Sequence, residues 1–275
     1  MANVNLEDLK DLRAKLGMGM GATKAALEEA NGDVEKATEI LRLKGAKMNS
    51  KRVDRVTSEG LVAASNDGGS ASMILLGCET DFVAKNSLFV ALAKTIVDAV
   101  SATSANSVDS ALAVVVDGRT VGELIEDHAA ILGEKIELSK VATIRGEDSV
   151  VYLHRTSKDL PPQVGVVMTY SGDDSETARS IAQHIAVFNP EFATRDSVPA
   201  EQIRKERELL EQIARSEGKP EAFLQKIVEG KLRSFFERQV LVDQPYARDS
   251  KRTVESVLED ADLQVSKFAR FKIGA

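Results

Sequence analysis

An acid and a large aromatic stand side by side where an apolar run stops: Asp81 and Phe82, inside the string Leu-Gly-Cys-Glu-Thr-Asp-Phe-Val-Ala-Lys-Asn over residues 76–86. A carboxylate offers hydrogen-bond acceptance and a benzyl ring offers apolar area, so the pair suits binding better than bond-making. Residues 71–78 are apolar and bounded by turn residues and read as a buried strand, while the spacing from Ser87 onward is helical. Residues 80–86 are then a strand-to-helix turn. A ring on such a turn either folds under the following helix or projects as a knob that a partner must accommodate. Phe82 lies seven residues before Phe89 and would share its face on a continuous helix, but Lys85 and Asn86 interrupt that stripe and favour the projecting ring.

The side chains of conventional catalysis are scattered. His128, His154 and His184 are far apart and none has the HExxH type of metal spacing. His184, beside Ile181 and Ile185, reads as a core histidine. The single cysteine, Cys78, permits no internal disulfide or cysteine-based zinc site and reads as a small core residue at a strand end. Gly17-Met18-Gly19-Met20-Gly21 looks superficially like a phosphate loop, yet it joins two helical patterns, lacks the lysine and follows no strand. No GxxxxGK[ST], GxSxG or GxGxxG motif occurs. The expectation is a protein that does no covalent chemistry and uses neither metal nor cofactor.

The elements that would position Asp81 and Phe82 are legible in the punctuation. Leu6, Leu9, Leu12 and Leu16 mark one helix face before the glycine loop; Ala26, Leu27 and Ala30 mark a second helix, stopped by Asn31-Gly32. Asp33 caps a third, with Val34, Ala37, Ile40 and Leu41, ending near Gly45. Residues 1–46 thus form a three-helix module, and Met18 and Met20 put adaptable apolar side chains on its loop. Residues 47–58, with Lys47, Lys51, Arg52 and Arg55, read as a solvated basic linker. A hairpin follows, residues 60–65 and 71–78 about Asn66-Asp67-Gly68-Gly69, and then a helix over 87–101. Strands 149–155 and 164–170 and a helix over 175–187 repeat that order. Each unit is closed by a further helix and a terminal strand: 121–132 then 135–144, and 253–258 then 264–271. The fold class is α+β, with core halves 59–146 and 147–275, each a three-stranded antiparallel sheet with helices. The second half carries a helical hairpin inserted at about 199–240, too charged to sit deep in a core.

With 275 residues and 43% hydrophobic content the chain can bury substantial cores. Its 36 basic and 43 acidic residues, net −7, argue against nucleic acid as the direct partner, because phosphate binding needs concentrated positive charge. No 18-residue apolar run and no leader pattern is present, so the expected setting is the cytoplasm, most simply bacterial, with another protein as partner and no membrane.

The string Thr-Asp-Phe-Val-Ala-Lys at 80–85, following an apolar strand and a three-helix module, resembles the bacterial elongation factor Ts family. Further marks agree: Leu12-Arg13 before the glycine loop, Ala30-Asn31-Gly32-Asp33 between helices, Gly218-Lys219-Pro220 in the hairpin and Phe268-Ala269-Arg270-Phe271 near the end. The resemblance covers nearly the whole chain. It implies a ubiquitin-associated-like (UBA-like) N-terminal domain and a guanine nucleotide exchange factor that binds translation elongation factor Tu, both GDP-bound and nucleotide-free. It further implies that Asp81 and Phe82 press on the nucleotide-binding domain, with Phe82 wedging near its Mg2+ site and Thr80 and Val83 holding the turn. Arg13 and Met20 align with contacts of the N-terminal module, and Leu132, Gly133 and His154 with lesser contacts of the core. The hairpin is left open between pairing with a second copy, touching the partner, or neither.

Three departures from the family pattern stand out. Gly77 replaces a commonly polar residue, Gly21 replaces a second methionine, and the chain stops at Ala275 where longer members carry a further C-terminal helix. The alternative reading is a non-catalytic adaptor or chaperone that binds peptides through the UBA-like module. An enzyme using Cys78 or His184 ranks third.

Overall fold

Apolar residues three and four apart build the first domain of the computed structural model, which describes residues 5–16, 20–50 and 52–274. Helices α1 (Leu6–Leu16), α2 (Met20–Glu29) and α3 (Val34–Ser50) pack Leu9, Leu12, Ala26, Leu27, Ala37 and Leu41 into one small core. Asp33 caps α3 as the sequence predicts, its carboxylate accepting the amides of Glu35 and Lys36 at 3.1 Å each. Two expectations fail here. Leu6 is 73% exposed and lies off the core face. Helix α3 runs through Gly45 to Ser50 instead of stopping.

The first core half contains β1 (Glu59–Asn66), β2 (Ser70–Cys78), the one-turn helix α4 (Asp81–Ala84), α5 (Ser87–Thr103), α6 (Val108–Leu112), the short pair β3 (Val115–Val116) and β4 (Arg119–Thr120), α7 (Val121–Leu132) and β5 (Ile136–Arg145). The strands form an antiparallel sheet in the order β1-β2-β5. Strand β2 is central, buried from Ala71 to Cys78, which is why it reads as a continuous apolar run. Helix α5 lays Phe89, Leu92, Ile96 and Val100 on one face of this sheet. Gly45 marks where α3 crosses α7: a Cβ there would lie 3.1 Å from the Cβ of Ala130, so the glycine permits a close crossing rather than ending a helix. Just beyond α3, Arg52 is buried with its guanidinium on the carbonyl of Ala129 at 3.1 Å, and Asn49 donates to the carbonyl of Glu126 at 2.8 Å. The stretch expected as a solvated linker is therefore laced to α7.

The second half repeats the strand order. It runs β6 (Asp148–His154), β7 (Val164–Ser171), α8 (Ser175–Phe188), a 3-10 turn (Arg195–Ser197), α9 (Ala200–Ser216), α10 (Glu221–Gln239), a second 3-10 turn (Leu241–Asp243), β8 (Pro245–Tyr246), β9 (Asp249–Thr253), α11 (Val254–Asp260) and β10 (Gln264–Lys272). Its sheet is antiparallel in the order β10-β7-β6. Helices α9 and α10 pack on each other about Leu210, Val228, Leu232 and Phe235, a core of their own. The faces of the two sheets not covered by helices meet, with Val62, Met73 and Leu75 against Val167 and Phe271. At Gly165 the approach is closest, since a Cβ would stand 2.5 Å from Val62 Cγ1 and 2.8 Å from Met73 Sδ.

His184 is a core residue, as its neighbours in sequence suggest. Its Nδ1 accepts the amide of Ala247 at 3.2 Å, its Nε2 bonds Gln244 Oε1 at 2.8 Å, and its ring stacks on Phe188 at 4.6 Å between centroids. Those partners require a proton on Nε2 and none on Nδ1. Burial lowers the pKa of the ring from its ordinary 6.5, and the bond to Gln244 offsets only part of that.

Gly165→Ala is expected to destabilise the fold by about 1–3 kcal/mol through overpacking, read as a lower urea midpoint. Because the native state prefers neutral His184, the unfolded chain binds more protons below the ordinary histidine value. Stability from this site is thus complete above 6.5 and declines as pH falls through the native value. Thermal melts at about pH 7.5 and about pH 5.5 are expected to show a drop that is smaller in His184→Gln.

Candidate functional site

Strand β2 ends at Cys78, opposite Ile136 of β5, and past that pair side chains replace the backbone ladder. Glu79 and Lys135 are one position further out; the Lys135 amide donates to Glu79 Oε1 at 2.7 Å. Thr80 and Glu134 come next. Glu134 Oε2 accepts the amides of Glu79 and Thr80 at 3.0 Å each, and its Oε1 accepts the Thr80 hydroxyl at 2.6 Å. Glu79 also pairs with Arg55 at 3.1 Å, and Lys135 Nζ donates to the carbonyls of Val53 and Arg55 at 2.8 and 3.2 Å. Partial burial pushes the Glu79 carboxyl up, but the Lys135 amide and the Arg55 guanidinium outweigh it, leaving its pKa below the usual value.

On this base sits α4. Thr80 is its N-cap, extended at φ −127° and ψ 157°, with its hydroxyl oxygen facing the Val83 amide at 3.4 Å. Val83 and Ala84 turn inward and join Phe89 in the core of the first half. Phe82 is on the opposite side and is 81% exposed. The sharing of one face by Phe82 and Phe89 therefore does not occur; Asn86 opens a new helix by accepting the Leu88 amide at 2.9 Å, which resets the register. Asp81 is held by Lys85 at 2.6 Å, and that bond keeps its carboxyl below the usual range. The same ammonium stands 5.9 Å from the centroid of the Phe82 ring.

Leu132 and Gly133 adjoin this turn through Glu134. Leu132 ends α7 half-buried, and Gly133 follows in the left-handed region at φ 79°, exposed, with open space where a Cβ would be. His154 ends β6, exposed, with Nδ1 3.2 Å from the Tyr152 hydroxyl. The loop after it is tied to β1, where the Val62 amide donates to the Pro162 carbonyl at 2.8 Å. Met20 begins α2 and is 53% exposed. Arg13 is on α1, but its side chain and the loop residues 17–19 lie outside the described residues. The structure thus brings Thr80, Asp81, Phe82, Val83, Leu132 and Gly133 to one corner, with Met20 on a separate module.

Covalent chemistry has no seat at this corner. Burial, with the charges of Glu134 and Glu59, pushes the Cys78 thiol up to about 12, so it stays protonated, and its Sγ faces the Thr80 carbonyl at 3.2 Å. Among the described residues no three His, Cys, Asp or Glu side chains converge to hold a metal, and no helix is long and apolar enough to cross a membrane. What the corner offers is an apolar prong on a braced base.

Sequence reasoning missed Glu79, Glu134, Lys135 and Arg55. A signal existed once β2 and β5 are paired antiparallel: the residues after Cys78 run alongside those before Ile136, Glu79 facing Lys135 and Thr80 facing Glu134.

Comparison with known proteins places this geometry in context. A family model described as "Elongation factor TS" matches residues 79–275. The "Elongation factor Ts" of Leifsonia xyli subsp. xyli is 60% identical over 276 residues, covering 100% of both chains. That of Clavibacter michiganensis subsp. michiganensis is 58% identical over 275 residues, again covering 100% of both. That of Saccharopolyspora erythraea is 49% identical over 274 residues, covering 100% of this chain and 99% of the relative.

Phe82→Ala is expected to leave unfolding free energy within about 0.5 kcal/mol, since an exposed ring holds nothing together. Glu134→Ala is expected to cost about 1–3 kcal/mol, because it strands two amides and a hydroxyl. Urea denaturation of both variants checks the contrast.

Proposed function

From the premise that the chain belongs to the elongation factor Ts family, the nucleotide exchange factors of elongation factor Tu, we propose that Phe82 is the wedge that drives GDP from the partner. The exposure of Phe82 on a turn whose next two residues, Val83 and Ala84, are buried is the observation that carries this reading. An exchange factor makes and breaks no covalent bond. It works by coupling: when factor and nucleotide favour competing conformations of one protein, each weakens the other equally.

The magnitudes agree. A thousandfold faster release requires about 4 kcal/mol off the dissociation barrier. A benzyl group burying roughly 150–250 Å² yields a gross ~4–6 kcal/mol. Association costs remove much of that, so further contacts are needed. We assign them to Arg13 and Met20 of the N-terminal module, read as UBA-like, and to Leu132, Gly133 and His154 of the core. Thr80 and Val83 hold the turn, one as cap and one as buried anchor. Asp81 keeps Lys85 beside the ring and is available to hydrogen-bond the partner.

The target of the ring is the surroundings of the partner's Mg2+. That ion demands near-octahedral oxygen ligation and bridges phosphates to protein, so a small displacement of its neighbours weakens the nucleotide. The factor would engage both the GDP-bound and the nucleotide-free GTPase, in the cytoplasm, with no nucleic acid between them. The helices α9 and α10 form the inserted hairpin of this reading.

Phe82→Ala is expected to slow stimulated release of a fluorescent GDP analogue about tenfold or more, as loss of a central aromatic anchor does. Stopped-flow measurement with the bacterial translational GTPase tests this; release as fast as with the unaltered chain rejects the wedge.

A further inference from the structure

We propose that Glu134 is a positioning residue for exchange: by accepting the Glu79 and Thr80 amides and the Thr80 hydroxyl, it makes the Phe82 turn stiff enough to transmit force. The inference rests on the wedge reading of Phe82 and adds the residue on which that wedge would depend.

Helix α4 has four residues and cannot hold itself. Its internal support is the Ala84 amide on the Thr80 carbonyl and the Lys85 amide on the Asp81 carbonyl, both at 3.1 Å, with the Thr80 hydroxyl near the Val83 amide and the Lys85 ammonium on Asp81. One turn of helix fixes several dihedrals for few hydrogen bonds, so an isolated turn is unfavourable. The α4 turn also lies beyond the last backbone pair of β2 with β5, where no sheet ladder constrains it. Two attachments remain. Val83 and Ala84 anchor the inward side in the core, and Glu134 takes three hydrogen bonds at the N-terminal side, with distances of 3.0, 3.0 and 2.6 Å. The reciprocal bond from the Lys135 amide to Glu79, at 2.7 Å, closes the strap from the other strand. Glu134 itself follows Gly133 directly, so the strap fixes the Leu132-Gly133 corner and the Phe82 turn relative to each other.

Stiffness has a specific kinetic consequence. A ligand shifts an equilibrium only by its differential affinity for the two states. A ring on a yielding base follows the partner's nucleotide-bound surface instead of displacing it, and loses that difference. Contacts elsewhere still bring the proteins together. Loosening the base should therefore lower the maximal release rate more than it raises the concentration needed for half-maximal effect.

The test uses the full chain with GDP-loaded partner, titrated to saturation in stopped flow. Glu134→Ala is expected to lower the maximal rate about tenfold while the half-saturating concentration changes less than about threefold. Glu134→Gln keeps an oxygen for the two amides and offers its NH2 to the Thr80 hydroxyl, and is expected to restore the rate to within about threefold of the unaltered chain. Thr80→Val leaves both amide bonds to Glu134, removes the hydroxyl arm together with the longer cap on the Val83 amide, and is expected to fall between, which carries the test if Glu134→Ala does not fold. An unaltered maximal rate in Glu134→Ala, or in Thr80→Val where the former does not fold, overturns the proposal. So does a loss confined to the half-saturating concentration. If Phe82→Ala slows release while Glu134→Ala does not, this inference alone falls; if the unaltered chain accelerates nothing, both readings fall.

Discussion

An apolar ring in water on a four-residue helix persists in one place only if something outside that helix holds it, and here a single carboxylate accepts three hydrogen bonds to do so. The Glu134 carboxylate stands where the β2–β5 ladder runs out, so the side chain does for Glu79 and Thr80 what a backbone carbonyl does further along the strand. Carboxylate acceptors form shorter and stronger bonds than neutral ones. Val83 and Ala84 supply the opposing anchor by burying themselves beside Phe89. The ring is thus fixed at its base from both sides while its own surface stays free.

The rest of the first half exists to make that base immobile. Helix α5 covers one face of the β1-β2-β5 sheet, and the second sheet covers the other through contacts as close as Gly165 on Val62 and Met73. Below the turn, Arg55 and Lys135 tie the segment after α3 to Glu79 and to the start of β5. Arg52 and Asn49 tie it to α7. The N-terminal helices are thereby joined to the corner that carries Phe82 by fixed bonds. The buried polar residues His184 and Cys78 are kept neutral and serve packing.

Most of the architecture was legible because it rests on local rules. The apolar run ending at Cys78, the Asn-Asp-Gly-Gly turn and the cap at Asp33 each mark an element boundary from neighbours a few residues away. Residues 121–132 agree with α7 end for end. Local rules failed where distant packing decides. Gly45 carries a stop signal, yet its missing Cβ admits Ala130 and the helix continues. Arg52 looks solvated in a basic run, yet a carbonyl far along the chain receives it. Leu6 fits the helical stripe but the three-helix core closes without it. At the corner itself, Asp81 and Phe82 stood out from the strand-to-helix change and Thr80 and Val83 from the family resemblance, whereas Glu134 did not, because its hydrogen bonds depend on strand pairing across more than fifty residues.

The most direct measurement places 4-fluorophenylalanine at position 82 and follows its 19F resonance in the free chain and on adding the GDP-loaded GTPase. A single narrow line at a solvent-exposed shift, moving and broadening when the complex forms and nucleotide leaves, is what a braced, projecting ring predicts. A buried shift in the free chain, or a line unmoved by complex formation, would contradict it.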